Sequence, residues 1–145
     1  MGVWEMGPFD NDDAGDWVFG FDDSPVDERL AFIDRAFAAV AGEADDGYIE
    51  MDTSTPAVAA AAVLAPLVDP SYEIDSSYGP HSLAETRAAD LTLDQGIRDR
   101  ALAALDHVRG NGDAESEWVA LWSEGGVLDQ ALAPLDTIAA VLCDR

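Results

Sequence analysis

The sequence predicts an all-α fold, a single acidic helical domain spanning residues 1–145 and built as a bundle of about five or six helices. Three observations lead there. Apolar residues recur at three- and four-residue spacing through several stretches, the period of one helical face. Capping residues, proline and glycine punctuate those stretches where helices start and stop. Strand signal is confined to Gly47-Tyr48-Ile49-Glu50-Met51, which leaves an α+β fold with a small hairpin near 47–51 as the fallback.

In chain order, Asp10 or Asn11 is placed to cap a short helix whose first turn holds Asp12 and Asp13, where the helix dipole favours negative charge by about 0.3–1 kcal/mol each. Ser24-Pro25-Val26-Asp27 predicts an N-cap, a first-position proline and an acid in the first turn. Leu30, Ile33, Phe37 and Val40 then share one face, and Gly42 marks the stop. Thr55-Pro56 opens a helix towards Val68 that is apolar all round, the pattern of a helix enclosed by others, with Pro66 expected to end or kink it. Residues 69–81 read as an irregular connection. Ser82-Leu83-Ala84-Glu85 and Thr92-Leu93-Asp94-Gln95 both have capping-box form. Ile97, Ala101, Ala104, Leu105 and Val108 mark a helix face ending at Gly110, and Asp94 and Arg98 stand one turn apart for pairing. Glu117 to Trp122 forms a short helix stopped by Gly125-Gly126. The stripe Leu128, Ala131, Leu132, Leu135, Ile138, Ala139 and Leu142 forms a last one, bent or divided at Pro134.

Composition closes off several chemistries. The net charge is −23, and every one of the seven basic residues is arginine. Without lysine there is no phosphate-binding P-loop, no Schiff base for pyridoxal chemistry and no kinase-type lysine. Nucleic-acid binding is disfavoured, because affinity for a polyanion comes mainly from basic side chains displacing counterions. Apolar residues at 48% argue for a folded chain. One cysteine, Cys143, excludes an internal disulfide and fits a reducing compartment. No signal peptide or myristoylation pattern is visible, and the longest apolar run, residues 57–68, falls short of the ~20 residues that cross a bilayer. The expectation is a cytoplasmic protein with no membrane or cofactor requirement.

The densest polar constellation is the opening, Trp4 to Trp17. Clustered carboxylates at Asp10, Asp12, Asp13 and Asp16 are what a hard cation requires, yet the stretch fails as an EF-hand loop: the fifth position is Ala14 and the bidentate twelfth is Phe21. The reading preferred here is an N-terminal anchor, in which Gly7-Pro8 turns the chain so that Trp4, Phe9 and Trp17 dock on the core. A partner-binding surface of aromatics ringed by acids is the other reading. His81 and His107 belong to no ligand spacing, no G-x-S-x-G elbow is present, and Cys143 has little beside it to favour a thiolate. Adjacent acids such as Asp22-Asp23 and Asp45-Asp46 follow from composition rather than from a glycosidase pair, and Trp118 and Trp122 are read as core packing.

The opening M-G-x-W-x-x-G-P-F-D-N-D-x-A-x-D resembles the signature of the bacterial domain of unknown function family 4259. Met1, Gly2, Trp4, Gly7, Pro8, Phe9, Asp10, Asn11, Asp12, Ala14 and Asp16 carry the likeness. The segments R-A-L-A-A-L-D-H-V at 100–108 and E-W-V-A-L-W-S-E-G at 117–125 are similar in kind. Glu5 and Gly15 depart from it, standing where a glycine and a larger apolar residue are expected, and both bear on packing of the N-terminus. The resemblance implies a compact bacterial domain and no reaction.

The function expected is therefore non-enzymatic: association with a basic protein, as an immunity protein, antitoxin or mimic would act, with the acidic surface steering encounter. One alternative is that the acidity is environmental, fitting a high-salt cytoplasm or a GC-rich genome. Another is a metal-dependent enzyme using the opening aspartates.

Overall fold

The computed structural model describes residues 9, 11–72, 74, 79–89, 93 and 95–143. Among them are seven α-helices: α1 (Asp12–Asp23), α2 (Arg29–Asp46), α3 (Met51–Val68), α4 (Leu83–Ala88), α5 (Gln95–Val108), α6 (Glu117–Glu124) and α7 (Leu128–Cys143). A 3₁₀ turn, Val26–Glu28, leads into α2. The fold is all-α, with one minimal sheet: β1 (Tyr48–Ile49) pairs in parallel with β2 (Glu115–Ser116). This is not the hairpin held as the fallback. Its two strands are far apart in sequence and carry no local turn signal.

α3 is the centre, packing against α1, α2, α5, α6 and α7. Every residue from Ala57 to Pro66 is buried, so its uniformly apolar sequence reflects neighbours on all sides. Its alanines leave room for the larger side chains of the surrounding helices. Phe9, Phe21, Ile33, Phe37, Leu64, Leu105, Leu135 and Ile138 fill that space, each contributing roughly 1.5–3 kcal/mol by its removal from water. α3 is longer than the sequence suggested, beginning at Met51 rather than Thr55, and is long and apolar enough to cross a bilayer. Here it is a core helix, with 72% of it buried inside the bundle.

α1 begins at the cap the sequence offered, and several other helix ends differ from expectation. α1 is capped by Asn11, whose Oδ1 accepts the Ala14 N–H at 2.8 Å. Ser24 closes α1 instead of opening α2, its hydroxyl donating to the Gly20 carbonyl. α2 runs through Gly42 to Gly47, whose φ of 93° makes the left-handed stop that glycine tolerates. The Ser82 to Glu85 capping box does not form: the Ser82 N–H and hydroxyl both donate to Asp22, and Glu85 reaches Arg29. Thr92 and Asp94 lie outside the described residues, and Arg98 donates from Nε and Nη2 to the Leu142 carbonyl. α3 extends only as far as Val68 beyond Pro66, while α7 passes Pro134 undivided.

The ends of α3 are held by charges from other elements. At the start, Glu117 accepts the Met51 N–H, and Glu43 accepts the Glu50 N–H and the Thr53 hydroxyl. At the finish, Arg87 donates to the Pro66 carbonyl. These are the polarities that the positive N-terminus and negative C-terminus of a helix favour.

Candidate functional site

α1 has two faces of opposite character. Ala14, Trp17, Val18 and Phe21 are buried on one, with Trp17 stacked on Phe21 at 5.4 Å and also 5.4 Å from Phe32 of α2. Phe9, just before the helix, is buried as well. The opposite face, stepping four, three and four residues along the helix, carries Asp12, Asp16, Phe19 and Asp23, all exposed. Phe19 is 75% exposed, more than the other exposed large apolar side chains among the described residues, Tyr48 and Leu121 at 45% each. Phe19 therefore takes no part in the core and stands as an aromatic in water among carboxylates.

The two glycines of α1 differ in the same sense. A Cβ on Gly20 would lie 2.8 Å from Cζ of Phe32, so any side chain there would have to displace the Phe32 ring of α2. A Cβ on Gly15 would meet nothing within 4 Å. Gly15 sits one turn before Phe19, and no neighbour requires a glycine there.

The candidate cation ligands do not converge. Asp12 and Asp16 are exposed on the outer face, while Asp13 lies close to Asp52 in the first turn of α3. Burial pushes the Asp13 carboxyl above its usual range, and repulsion by Asp52, Asp16 and Asp12 pushes it the same way. No group of three or more metal-binding side chains is assembled among the described residues. Trp4, Gly7, Pro8 and Asp10 lie outside those residues.

The remaining side chains singled out in the sequence serve the fold. Asp22 accepts the backbone N–H groups of His81 and Ser82, tying the loop before α4 to the end of α1. Trp118 is buried edge-to-face with Trp122 at 6.3 Å. His107 is half-buried on α5 with its Nδ1 against Gly112, where a Cβ would lie 2.7 Å from that nitrogen. Cys143 is exposed at the end of α7.

The arginines were the residues whose roles local spacing could not reveal. Arg29, Arg87 and Arg98 donate to carbonyls in the C-terminal turns of α1, α3 and α7, helices with no basic residue in their own last turn. Arg100 pairs with Asp34 at 2.7 Å and Arg109 with Asp136 at 2.9 Å. Arg35 lies over the Phe32 ring. All six described guanidinium groups are thus engaged within the chain, and the acids of the α1 outer face have none of them as partners.

The sequence model of a family described as "Domain of unknown function (DUF4259)" matches residues 2–133. The chain belongs to the DUF4259 family. The match takes in α1 to α6 and the first turn of α7, so the whole of the two-faced helix α1 lies inside the DUF4259 region, whereas the Leu142 end of α7 lies beyond it. No match was found among curated proteins or among solved structures.

Proposed function

We propose that this DUF4259 chain is a non-enzymatic cytoplasmic binding module that acts by associating with a basic protein, in the manner of an immunity protein, antitoxin or mimic. The observation that carries the reading is the internal use of arginine: with the described guanidinium groups engaged on helix ends, carboxylates and a ring, the exterior is left strongly anionic. Such a surface steers an oppositely charged partner and rejects nucleic acid and anionic membranes. Affinity capture from native lysate tests it. The expected result is a basic protein whose binding weakens as salt rises, and recovery of chaperones alone counts against it.

A second reading draws support from Asp13, whose crowding by Asp52, Asp16 and Asp12 is a repulsion that salt relieves. In that reading the acidity serves a saline or compositionally biased host. Where salt adaptation is the cause, the melting temperature climbs by many degrees between low and molar KCl, and a flat response removes salt adaptation. The metal-dependent enzyme reading would rest on Asp10, Asp12, Asp13 and Asp16, of which the described three form no ligand group with one another. A thermal shift with calcium, magnesium or manganese is the observation that would revive it.

A further inference from the structure

We infer that the outer face of α1 is the surface on which an arginine-bearing segment of a protein partner docks, with Phe19 as the anchor and Asp12, Asp16 and Asp23 as the charged rim. The inference rests on the basic-partner reading and gives it a location.

Three observations meet on this face. Phe19 is 75% exposed and stands between Asp16 and Asp23 in the acidic row, so an apolar ring and carboxylates share one face. The carboxylates at four, three and four residue steps form a strip along one side of the helix with no described arginine to neutralise it. Gly15, one turn before Phe19, is not required by any neighbour, since a Cβ there would meet nothing within 4 Å, and it lowers helix propensity by roughly 0.5–1 kcal/mol relative to alanine. Repulsion at Asp13, beside the strip, is in the sense that a bound cation would relieve.

Charge selects the occupant. A second copy of a chain carrying −23 is repelled, and an anionic lipid surface is repelled for the same reason. Between the two basic side chains, arginine fits better: its planar guanidinium stacks on an aromatic face while its edge donates to a carboxylate, and an ammonium does only one of these well.

The probe is a fluorescein-labelled, helix-forming peptide with arginines spaced four residues apart, titrated with the full chain at low salt and read by anisotropy; a lysine version serves as comparison. Wild-type protein is expected to prefer the arginine peptide. Phe19→Ser should weaken binding by about three- to thirtyfold, the range of an aromatic–cation contact. Asp16→Asn/Asp23→Asn should weaken it several-fold more than the charge-matched Glu124→Gln/Asp129→Asn on α6 and α7. Binding that is equal in both double variants and within twofold of wild type in Phe19→Ser overturns the location and leaves the basic-partner reading standing. Absence of any binding to wild type overturns both. A dimer of wild type in sedimentation equilibrium that Phe19→Ser abolishes would give the face to a second copy and overturn the proposal.

Discussion

Replacing Arg29 by methionine keeps most of its apolar stem and removes a guanidinium that joins three elements. The side chain is only 5% exposed, while its ionic partner Glu85 is 67% exposed, so the pair is buried at one end alone. Nε and Nη2 donate to the Phe21 and Asp22 carbonyls at the end of α1, Nη1 donates to the Thr86 hydroxyl at 3.0 Å and to Glu85 at 2.6 Å, and the group lies over the Phe21 ring. In the variant Phe21 keeps the Ser24 N–H and Thr86 keeps its bond to the Ser82 carbonyl, so the acceptors left poorest are the Asp22 carbonyl and the Thr86 oxygen. At about 1–3 kcal/mol for each unsatisfied buried group, with Glu85 returning to water at little cost, Arg29→Met should lose about 3 kcal/mol. Urea unfolding followed by circular dichroism measures it, with a fall in melting temperature of roughly 6–12 °C for a chain of this size. Glu85→Gln should lose less than about 1 kcal/mol, because an exposed carboxylate gains little from pairing. If the two variants lose the same amount, the ion pair and not the helix-end bonding is what stabilises this junction, and the reasoning fails.

Asp13→Asn should stabilise the protein at neutral pH. The folded Asp13 carboxyl titrates above the unfolded one, so the native state binds the proton more tightly and stability falls as pH rises between the two values. The advantage of the variant should therefore be full at pH 7, shrink as pH falls through the raised folded value and be gone below the ordinary aspartate value, as melts from pH 3 to 7 will show. Gly15→Ala should raise stability by about 0.5–1 kcal/mol, since open space surrounds the new methyl, whereas Gly20→Ala should lower it because the methyl meets Phe32 at 2.8 Å; parallel urea titrations compare the two. Ala61→Leu, at a fully enclosed position of α3, should cost about 1–3 kcal/mol or more by overpacking, read as an earlier urea midpoint with the same slope.

What the sequence made legible was whatever depends on local period. Ile97, Ala101, Ala104, Leu105 and Val108 are spaced for one helical face, and all five are buried on α5. The Ala57 to Val68 run is uniformly apolar and enters the centre of the bundle. The outward position of Phe19 is legible too, since stepping along α1 sets it opposite Trp17 and Phe21. Helix boundaries were misplaced where a polar side chain had two available partners. Ser82 and Glu85 could have capped α4 locally, but Asp22 and buried Arg29 offered stronger charge-assisted bonds from across the fold. Arg98 was expected on Asp94 by its spacing and is found on the Leu142 carbonyl, a contact that no local pattern encodes. The Asp13–Asp52 contact and the pairing of β1 with β2 escaped for the same reason.

The interment of Arg29 and Arg98 has a consequence for handling the protein. With no lysine in the chain, trypsin has only arginine at which to cut, and these two bonds become accessible only when the α1–α4 junction or the α5–α7 seam opens. Appearance of fragments ending at residue 29 or residue 98 thus clocks two separate breathing motions of the native state, and amine-reactive dyes or cross-linkers find no lysine side chain to label.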